Sequence, residues 1–104
     1  MIQIVNRKTY RGVSVYVGRP TALGNPFVIG RDGSRADVLR KYRRWLWSAM
    51  QSRNETVLAE LRRLAEQAAA GDVVLSCWCS PAPCHAEILR AAIGWLQTQT
   101  GGQQ

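Results

Sequence analysis

The segment Val73-Val74-Leu75-Ser76-Cys77-Trp78-Cys79 decides the fold of this chain. Its nearly continuous apolar character is typical of a strand that is buried on both faces, as strands of parallel sheets are. A glycine and an aspartate precede it, and a loop with two prolines follows it. The sequence therefore predicts a strand from Val73 to Cys79 in the interior of an α/β domain.

Three helical patterns flank this strand. The first covers residues 34–50 and opens with a capping box in which Asp37 follows Ser34. The second covers residues 54–71, beginning at an asparagine cap and stopping at a glycine. The third begins near a proline at residue 83, a residue suited to a first helical turn, and runs to about residue 97.

Short β-branched segments predict further strands nearer the start of the chain. Ile2 to Val5 and Val13 to Val17 are expected to be strands, and Val28-Ile29 is expected to form a brief one. The resulting fold class is α/β, with a small sheet that has a parallel component and about three helices. A Rossmann-like sandwich is one arrangement that fits. We expect one compact domain over residues 1–97 and a flexible tail over residues 98–104.

Composition predicts a globular protein with no membrane segment. Hydrophobic residues make up 46% of the 104 residues, and no run approaches the roughly 18 apolar residues that span a bilayer. The first ten residues lack the apolar core of a signal peptide. All three cysteines fall within eight positions, a pattern that favours a thiol or metal site in a reducing compartment. The expected location is cytoplasmic.

The charge balance predicts an anionic partner. Fourteen lysines and arginines against seven acidic residues give a formal net charge of +7, and most of the positive charge is arginine. The planar guanidinium group suits phosphate and carboxylate. A nucleotide-like small molecule and nucleic acid are both candidate partners, while a generally solvated basic surface would have the same composition. The oligomeric state is not predicted.

Cys77, Cys79, Cys84 and His85 form the densest cluster of chemically active side chains. They match the ligand types of a Cys3His zinc site, although their spacing is not that of common zinc knuckles. Alternatively, Cys84 and His85 are catalytic, because a helix start lowers the pKa of a thiol and histidine exchanges protons. A third interpretation treats the cysteines as small buried side chains. The sequence leaves all three open.

A second cluster lies in the loops that follow the first strands. Asn6, Arg7, Arg19, Gly24 and Asn25 are predicted to bind a ligand. Glycines allow close approach of the backbone to an anion, and the two arginines each follow a strand, so that they could reach one phosphate. The cluster matches neither a dinucleotide fingerprint nor a P-loop. An ordered connection with a simple turn is the alternative interpretation.

Taken together, five segments resemble a known family. Asn6-Arg7, Gly18-Arg19-Pro20, Gly24-Asn25-Pro26-Phe27, Cys77-Trp78-Cys79 and Cys84-His85 are similar to motifs of DUF4326, a family of small bacterial and bacteriophage proteins of unknown function. The resemblance covers about residues 2 to 96. It implies that the segments belong together in one pocket, and it names no reaction.

The leading functional prediction is a pocket that joins the Gly-Arg-Pro/Gly-Asn-Pro-Phe loop to the Cys-Trp-Cys/Cys-His segment. The pocket would bind an anionic small molecule that resembles a nucleotide or nucleoside, with enzymatic turnover left open. The alternative is a non-enzymatic, basic protein that binds nucleic acid or a host partner through the arginine-rich helix from Ser34 to Met50. In that case the cysteine cluster would be structural, with or without zinc.

Overall fold

The computed structural model describes residues 1–79 and 82–102. Within these ranges the chain forms a single α/β unit with three strands and three helices. The elements in chain order are β1 (Ile2–Asn6), β2 (Val15–Tyr16), α1 (Arg35–Gln51), α2 (Glu55–Ala70), β3 (Val73–Cys77) and α3 (His85–Gly102). Both the predicted α/β class and the helix number are confirmed.

The sheet is parallel and has β3 at its centre. The strand order is β1-β3-β2, and both edge strands pair with β3 in parallel. Ile4 and Val15 both lie opposite Leu75, which is fully buried. Because the strands are parallel, their last residues lie side by side at one end of the sheet. These residues are Asn6, Tyr16 and Cys77. The loops that carry the predicted site residues therefore start side by side.

The central strand is shorter than predicted. It ends at Cys77 rather than Cys79, and the last bond across its end runs from the Arg7 amide to the Cys77 carbonyl. Neither neighbouring strand continues beyond this point, so Trp78 has no ladder partner and leaves the sheet. Its side chain is 58% exposed instead of being buried in the opposite layer.

Two other strand predictions were also wrong, one in its length and one altogether. β2 has two residues rather than the five from Val13 to Val17, because it pairs with only two residues of β3, and Val13 is 94% exposed. Val28-Ile29 is not a strand. The amide of Val28 donates to the carboxylate of Asp32, so these residues belong to a turn.

The helices begin as their capping residues predict. Ser34 and Asp37 form the expected reciprocal capping box of α1, and the Asn54 side chain accepts from the Val57 amide at the start of α2. α3 differs from the prediction at both ends, since it starts at His85 and extends to residue 102 instead of about 97. The tail predicted from residue 98 therefore includes helix, and residues 103 and 104 lie outside the described residues.

The core forms where the three helices and β3 meet. Its fully buried members include Tyr42 and Leu46 of α1, Leu61 of α2 and Leu89 of α3. Trp47, which the helical spacing places away from Trp45, packs edge-on against Trp95 of α3 with ring centroids 5.2 Å apart. Within the described ranges, no helix has the length and apolarity that crossing a membrane requires.

Candidate functional site

A cavity of about 400 Å³ opens at the end of the sheet where the parallel strands finish. Four chain segments line this strand-end cavity: β2 with the following loop, the loop at residues 25–29, the start of α1, and the β3–α3 connection. The lining residues are Tyr16, Gly18, Arg19, Asn25, Phe27, Val28, Ile29, Arg35, Val38, Cys77, Trp78, Cys79 and His85. The cavity thus joins the two loop clusters that sequence analysis singled out, and its volume is within the range of small-molecule sites.

Tyr16 and Trp78 form an aromatic wall that is fixed by hydrogen bonds. Their rings meet edge to face with centroids 6.3 Å apart. The Trp78 indole N–H donates to the Tyr16 hydroxyl at 2.9 Å, and that hydroxyl donates to the Arg19 carbonyl at 2.7 Å. Gly18 makes this arrangement possible, because a Cβ atom there would collide with the Tyr16 hydroxyl. The wall is therefore ordered before any ligand enters.

Two arginines line the cavity, and only one of them was predicted. Arg19 belongs to the predicted ligand set, whereas Arg35 is the first residue of α1 and is not among the predicted site residues. One Arg35 terminal nitrogen (Nη1) donates to the Pro83 carbonyl at 3.1 Å, which links the start of α1 to the β3–α3 connection. Within residues 1–79 and 82–102, neither arginine forms an ion pair with a carboxylate.

Arg7 and Asn6 lie behind the aromatic wall and do not line the cavity. The Arg7 guanidinium carbon is 4.2 Å from the centroid of the Tyr16 ring and 5.7 Å from that of Trp78. The Asn6 side-chain amide donates to the Trp78 carbonyl at 3.1 Å. The Asn-Arg segment therefore supports the aromatic wall from outside the cavity. Arg7 does so through a cation–π contact, and Asn6 through a hydrogen bond to the Trp78 backbone.

Gly24 and Asn25 shape the loop that carries Arg19. A Cβ atom on Gly24 would lie 2.8 Å from the Arg19 backbone nitrogen, and the Gly24 amide donates to the Thr21 carbonyl. Asn25 lines the cavity, but its side chain donates to the Val38 carbonyl and accepts from the Phe27 amide. The polar groups of both residues are thus engaged within the protein.

The predicted cysteine–histidine cluster is divided between two environments. Cys77, Cys79 and His85 line the strand-end cavity, whereas Cys84 is buried behind it. Cys84 immediately precedes α3, where its sulfur accepts from the Ala86 amide at 3.4 Å. All three cysteines are free thiols. Cys79, lying just beyond the end of β3, is the least buried of the three.

His85 is held in one tautomer by a buried hydrogen bond. Its Nε2 lies 2.7 Å from the Val17 carbonyl, and because a carbonyl only accepts, Nε2 carries the hydrogen. Nδ1 is then unprotonated and lies 3.5 Å from the Cys84 sulfur. Burial lowers the pKa of His85, while the bond to Val17 acts in the opposite direction with a smaller effect. The imidazole is therefore neutral at pH 7.

The environment of Cys84 raises the pKa of its thiol, opposite to the lowering that a helix start predicts. The S–H group is hydrogen-bonded to the Cys77 sulfur, and burial adds to the effect. The Ala86 amide acts in the opposite direction, but its effect is smaller than either of these. Cys84 therefore keeps its proton at neutral pH.

The geometry of the cysteine–histidine cluster does not fit zinc. Within the described residues, no group of three or more His, Cys, Asp or Glu side chains is placed to hold a metal ion. A tetrahedral zinc ion about 2.3 Å from each sulfur separates two sulfurs by about 3.8 Å. The Cys77 and Cys84 sulfurs are 2.7 Å apart.

The buried imidazole predicts acid sensitivity of the fold. The pKa of His85 is lowered in the folded protein, so below the unfolded value of about 6.5 the unfolded chain binds a proton that the folded chain does not. The free energy of unfolding should therefore decrease as the pH falls from 7 to 5, by at most about 1.4 kcal/mol per pH unit. Urea unfolding at a series of pH values measures this slope.

A His85→Gln variant is the control, because His85 is the chain's sole histidine. Its stability should be nearly independent of pH between 5 and 7. Asp32 and Asp37 do not affect the pH dependence of stability in this range. Their pKa values are lowered from 3.8, so their contribution to the free energy of unfolding is lost only below about pH 4. Equal slopes for the variant and the wild type would contradict the assignment to His85.

Comparison with known proteins identifies the family. No curated protein and no solved structure shows significant similarity to the chain. The segments of the resemblance noted above are those that build the strand-end cavity, its aromatic wall and the adjoining cysteine pair. The model of one family, described as a domain of unknown function, matches residues 2–95. The chain belongs to this family, DUF4326.

Proposed function

We propose that the protein binds an anionic small molecule of the nucleotide or nucleoside class in the strand-end cavity. The observation that carries this proposal is the pairing, in one cavity, of two arginines without a carboxylate partner in the described chain and a fixed aromatic wall. A nucleotide presents the matching features, because it joins a charged phosphate to a planar base.

The two arginines are suited to the phosphate. Each guanidinium group offers a planar set of donors that matches phosphate oxygens, and hydrogen bonds between charged groups are stronger than neutral ones. Arg19 comes from the loop after β2 and Arg35 from the start of α1, so the phosphate would lie between two elements. A net charge of +7 adds an attractive field for the anion.

The aromatic residues are suited to the base. The ring of Trp78 is largely exposed at the cavity, and Phe27 is also among the lining residues. Stacking of a base on an aromatic side chain contributes about 1–3 kcal/mol and depends little on which base it is. Because Asn25 and His85 already hydrogen-bond to the backbone, we expect similar affinities for purine and pyrimidine nucleotides.

The proposed function is binding. If the protein also converts its ligand chemically, the reacting thiol would be that of Cys79, which lines the cavity, rather than that of Cys84. Cys84 is buried outside the lining and retains its proton, whereas Cys79 lines the cavity. We also propose a cytoplasmic location, because three cysteines within eight positions favour a thiol site in a reducing compartment.

Calorimetric titration with the 5′-monophosphates of adenosine, guanosine, cytidine and uridine tests the proposal, with the four nucleosides as comparison ligands. We expect saturable binding of one nucleotide per chain and weaker binding of each nucleoside. A Trp78→Ala variant should bind the nucleotides about 5- to 150-fold more weakly, as the loss of one stacking contact predicts.

Trp95→Ala is the matched control. Trp95 is also an exposed tryptophan, but it lies on α3 against Trp47, outside the cavity. Its replacement should leave nucleotide affinity within about twofold, since it removes no stacking contact. Equal losses in the two variants, or absence of binding for all four nucleotides at millimolar concentration, would contradict the proposal.

A titration with a single-stranded oligonucleotide addresses the rival function, nucleic-acid binding through α1. Arg43 and Arg44 are exposed on that helix and would contact phosphates of the strand. Tight oligonucleotide binding that weakens steeply with salt, without binding of mononucleotides, would favour the rival. Mononucleotide binding that survives at 150 mM salt would favour the cavity.

A further inference from the structure

Two buried cysteine sulfurs are in unusually close contact beneath the strand-end cavity. Cys77 is the last residue of β3 and is 1% exposed, and Cys84 is 2% exposed just before α3. Their sulfur atoms are 2.7 Å apart and belong to free thiols. This separation is longer than the approximately 2.05 Å of a disulfide and shorter than the roughly 3.8 Å between two sulfurs bound to one zinc ion.

The surroundings assign different roles to the two sulfurs. Cys77 is among the residues that line the cavity, so a small molecule in the cavity lies next to this residue, of which only 1% of the surface is exposed. Cys84 does not line it and donates its S–H hydrogen to the Cys77 sulfur. Cys77 is thus placed as the nucleophile that meets a molecule in the cavity, and Cys84 as the thiol that responds to it.

The unprotonated Nδ1 of His85 supplies a base for the second sulfur. It lies 3.5 Å from the Cys84 sulfur, and the bond between Nε2 and the Val17 carbonyl keeps the hydrogen on the opposite side of the ring. Burial of His85 keeps the imidazole neutral, so that its lone pair is available at neutral pH. The contact between the two sulfurs and the adjacent base together provide the groups that disulfide formation needs.

We propose that Cys77 and Cys84 form a redox-active pair that a small hydroperoxide oxidises to an intramolecular disulfide. In the first step the Cys77 thiolate attacks one oxygen of hydrogen peroxide. A sulfur–oxygen bond forms, the oxygen–oxygen bond breaks, and the departing hydroxide takes up a proton to become water.

In the second step the sulfur of Cys84 attacks the sulfur of the Cys77 sulfenic acid, and its proton passes to His85 Nδ1 as the new bond forms. The sulfur–sulfur bond forms, the sulfur–oxygen bond breaks, and the hydroxide leaves as water with the proton from His85. Two thiols and one hydrogen peroxide thus give one disulfide and two waters. This oxidation is independent of the proposed nucleotide binding, because it uses no residue that the nucleotide is proposed to contact.

The test is peroxide oxidation of the full chain after reduction and desalting. We expect the count of free thiols, measured after unfolding in denaturant, to fall from three to one, and the mass to fall by two hydrogen atoms. Dithiothreitol should restore all three thiols. Chymotrypsin cleaves after Trp78 and separates Cys77 from the other two cysteines, so mapping identifies the linked pair. The alkylated thiol that remains should be Cys79.

Cys79→Ser and Cys84→Ser variants complete the test. Cys79→Ser should still lose both thiols at the same peroxide concentration. Cys84→Ser should form no intramolecular disulfide and should accumulate a Cys77 sulfenic acid that reacts with dimedone. A disulfide that includes Cys79, or a disulfide between two chains, would overturn the proposal. So would retention of both thiols in Cys79→Ser, a result that does not depend on how well Cys84→Ser folds.

Discussion

An Arg19→Ala/Arg35→Ala double variant is expected to lose at least about 100-fold in affinity for a nucleoside monophosphate. A hydrogen bond that involves a charged group contributes about 1.5–3 kcal/mol, so the loss of one such bond from each arginine removes about 3–6 kcal/mol of binding free energy. Neither arginine neutralises a carboxylate in the described chain, so stability should change little. Calorimetry with adenosine monophosphate measures the loss.

The control for this variant keeps the same net charge. Arg43→Ala/Arg44→Ala also removes two positive charges, from exposed positions on α1 that do not line the cavity. It changes only the long-range field, which is screened at 150 mM salt, so we expect less than about a threefold loss of affinity. A similar loss in both double variants would show that the nucleotide responds to overall charge and not to the cavity.

Replacement of Gly24 by alanine should destabilise the fold by about 3 kcal/mol. The new methyl group would lie 2.8–2.9 Å from the nitrogen and Cα of Arg19 and the carbonyl carbon of Gly18. These are backbone atoms that cannot rotate away, so the cost should be near the top of the range for overpacking. The displaced loop also carries Arg19, so nucleotide binding should weaken together with stability.

Gly94→Ala is the matched control, with an effect of opposite sign. Gly94 lies inside α3, and a Cβ atom there has no neighbour within 4 Å. Alanine should stabilise the helix by about 0.5–1 kcal/mol, since glycine loses more backbone entropy on folding. Urea denaturation of both variants measures the two changes. Destabilisation of similar size in both would contradict the close-approach argument for Gly24.

Local sequence signals predicted the elements well and their extents less well. The N-terminal caps and apolar stripes of α1 and α2 depend on neighbouring residues, so they are visible in the sequence. The length of a strand depends on its partner. Val13 has a β-branched side chain suited to a strand. However, β3 pairs only with Val15 and Tyr16, so Val13 lies outside the strand.

The sequence predicted that the loops of the candidate site meet, but it predicted only part of the lining of that site. The parallel sheet brings together the loops after three strands, which explains why Arg19, Asn25 and His85 meet. Arg35 was missed because an arginine in the first turn of a helix has no local sign of facing a cavity. Trp78 was predicted to be buried because the strand, buried on both faces, was expected to continue to Cys79, beyond the last paired residue.

The position of β3 in the sheet also bears on how the protein is made. β1 and β2 pair with β3 and not with each other, yet both precede it by more than fifty residues in the chain. During synthesis the first two strands therefore have no partner until residues 73–77 have left the ribosome, while α1 and α2 can already form. We expect a ribosome-bound chain that stops at residue 70 to be helical but without a sheet, and the sheet to assemble late through contacts distant in sequence.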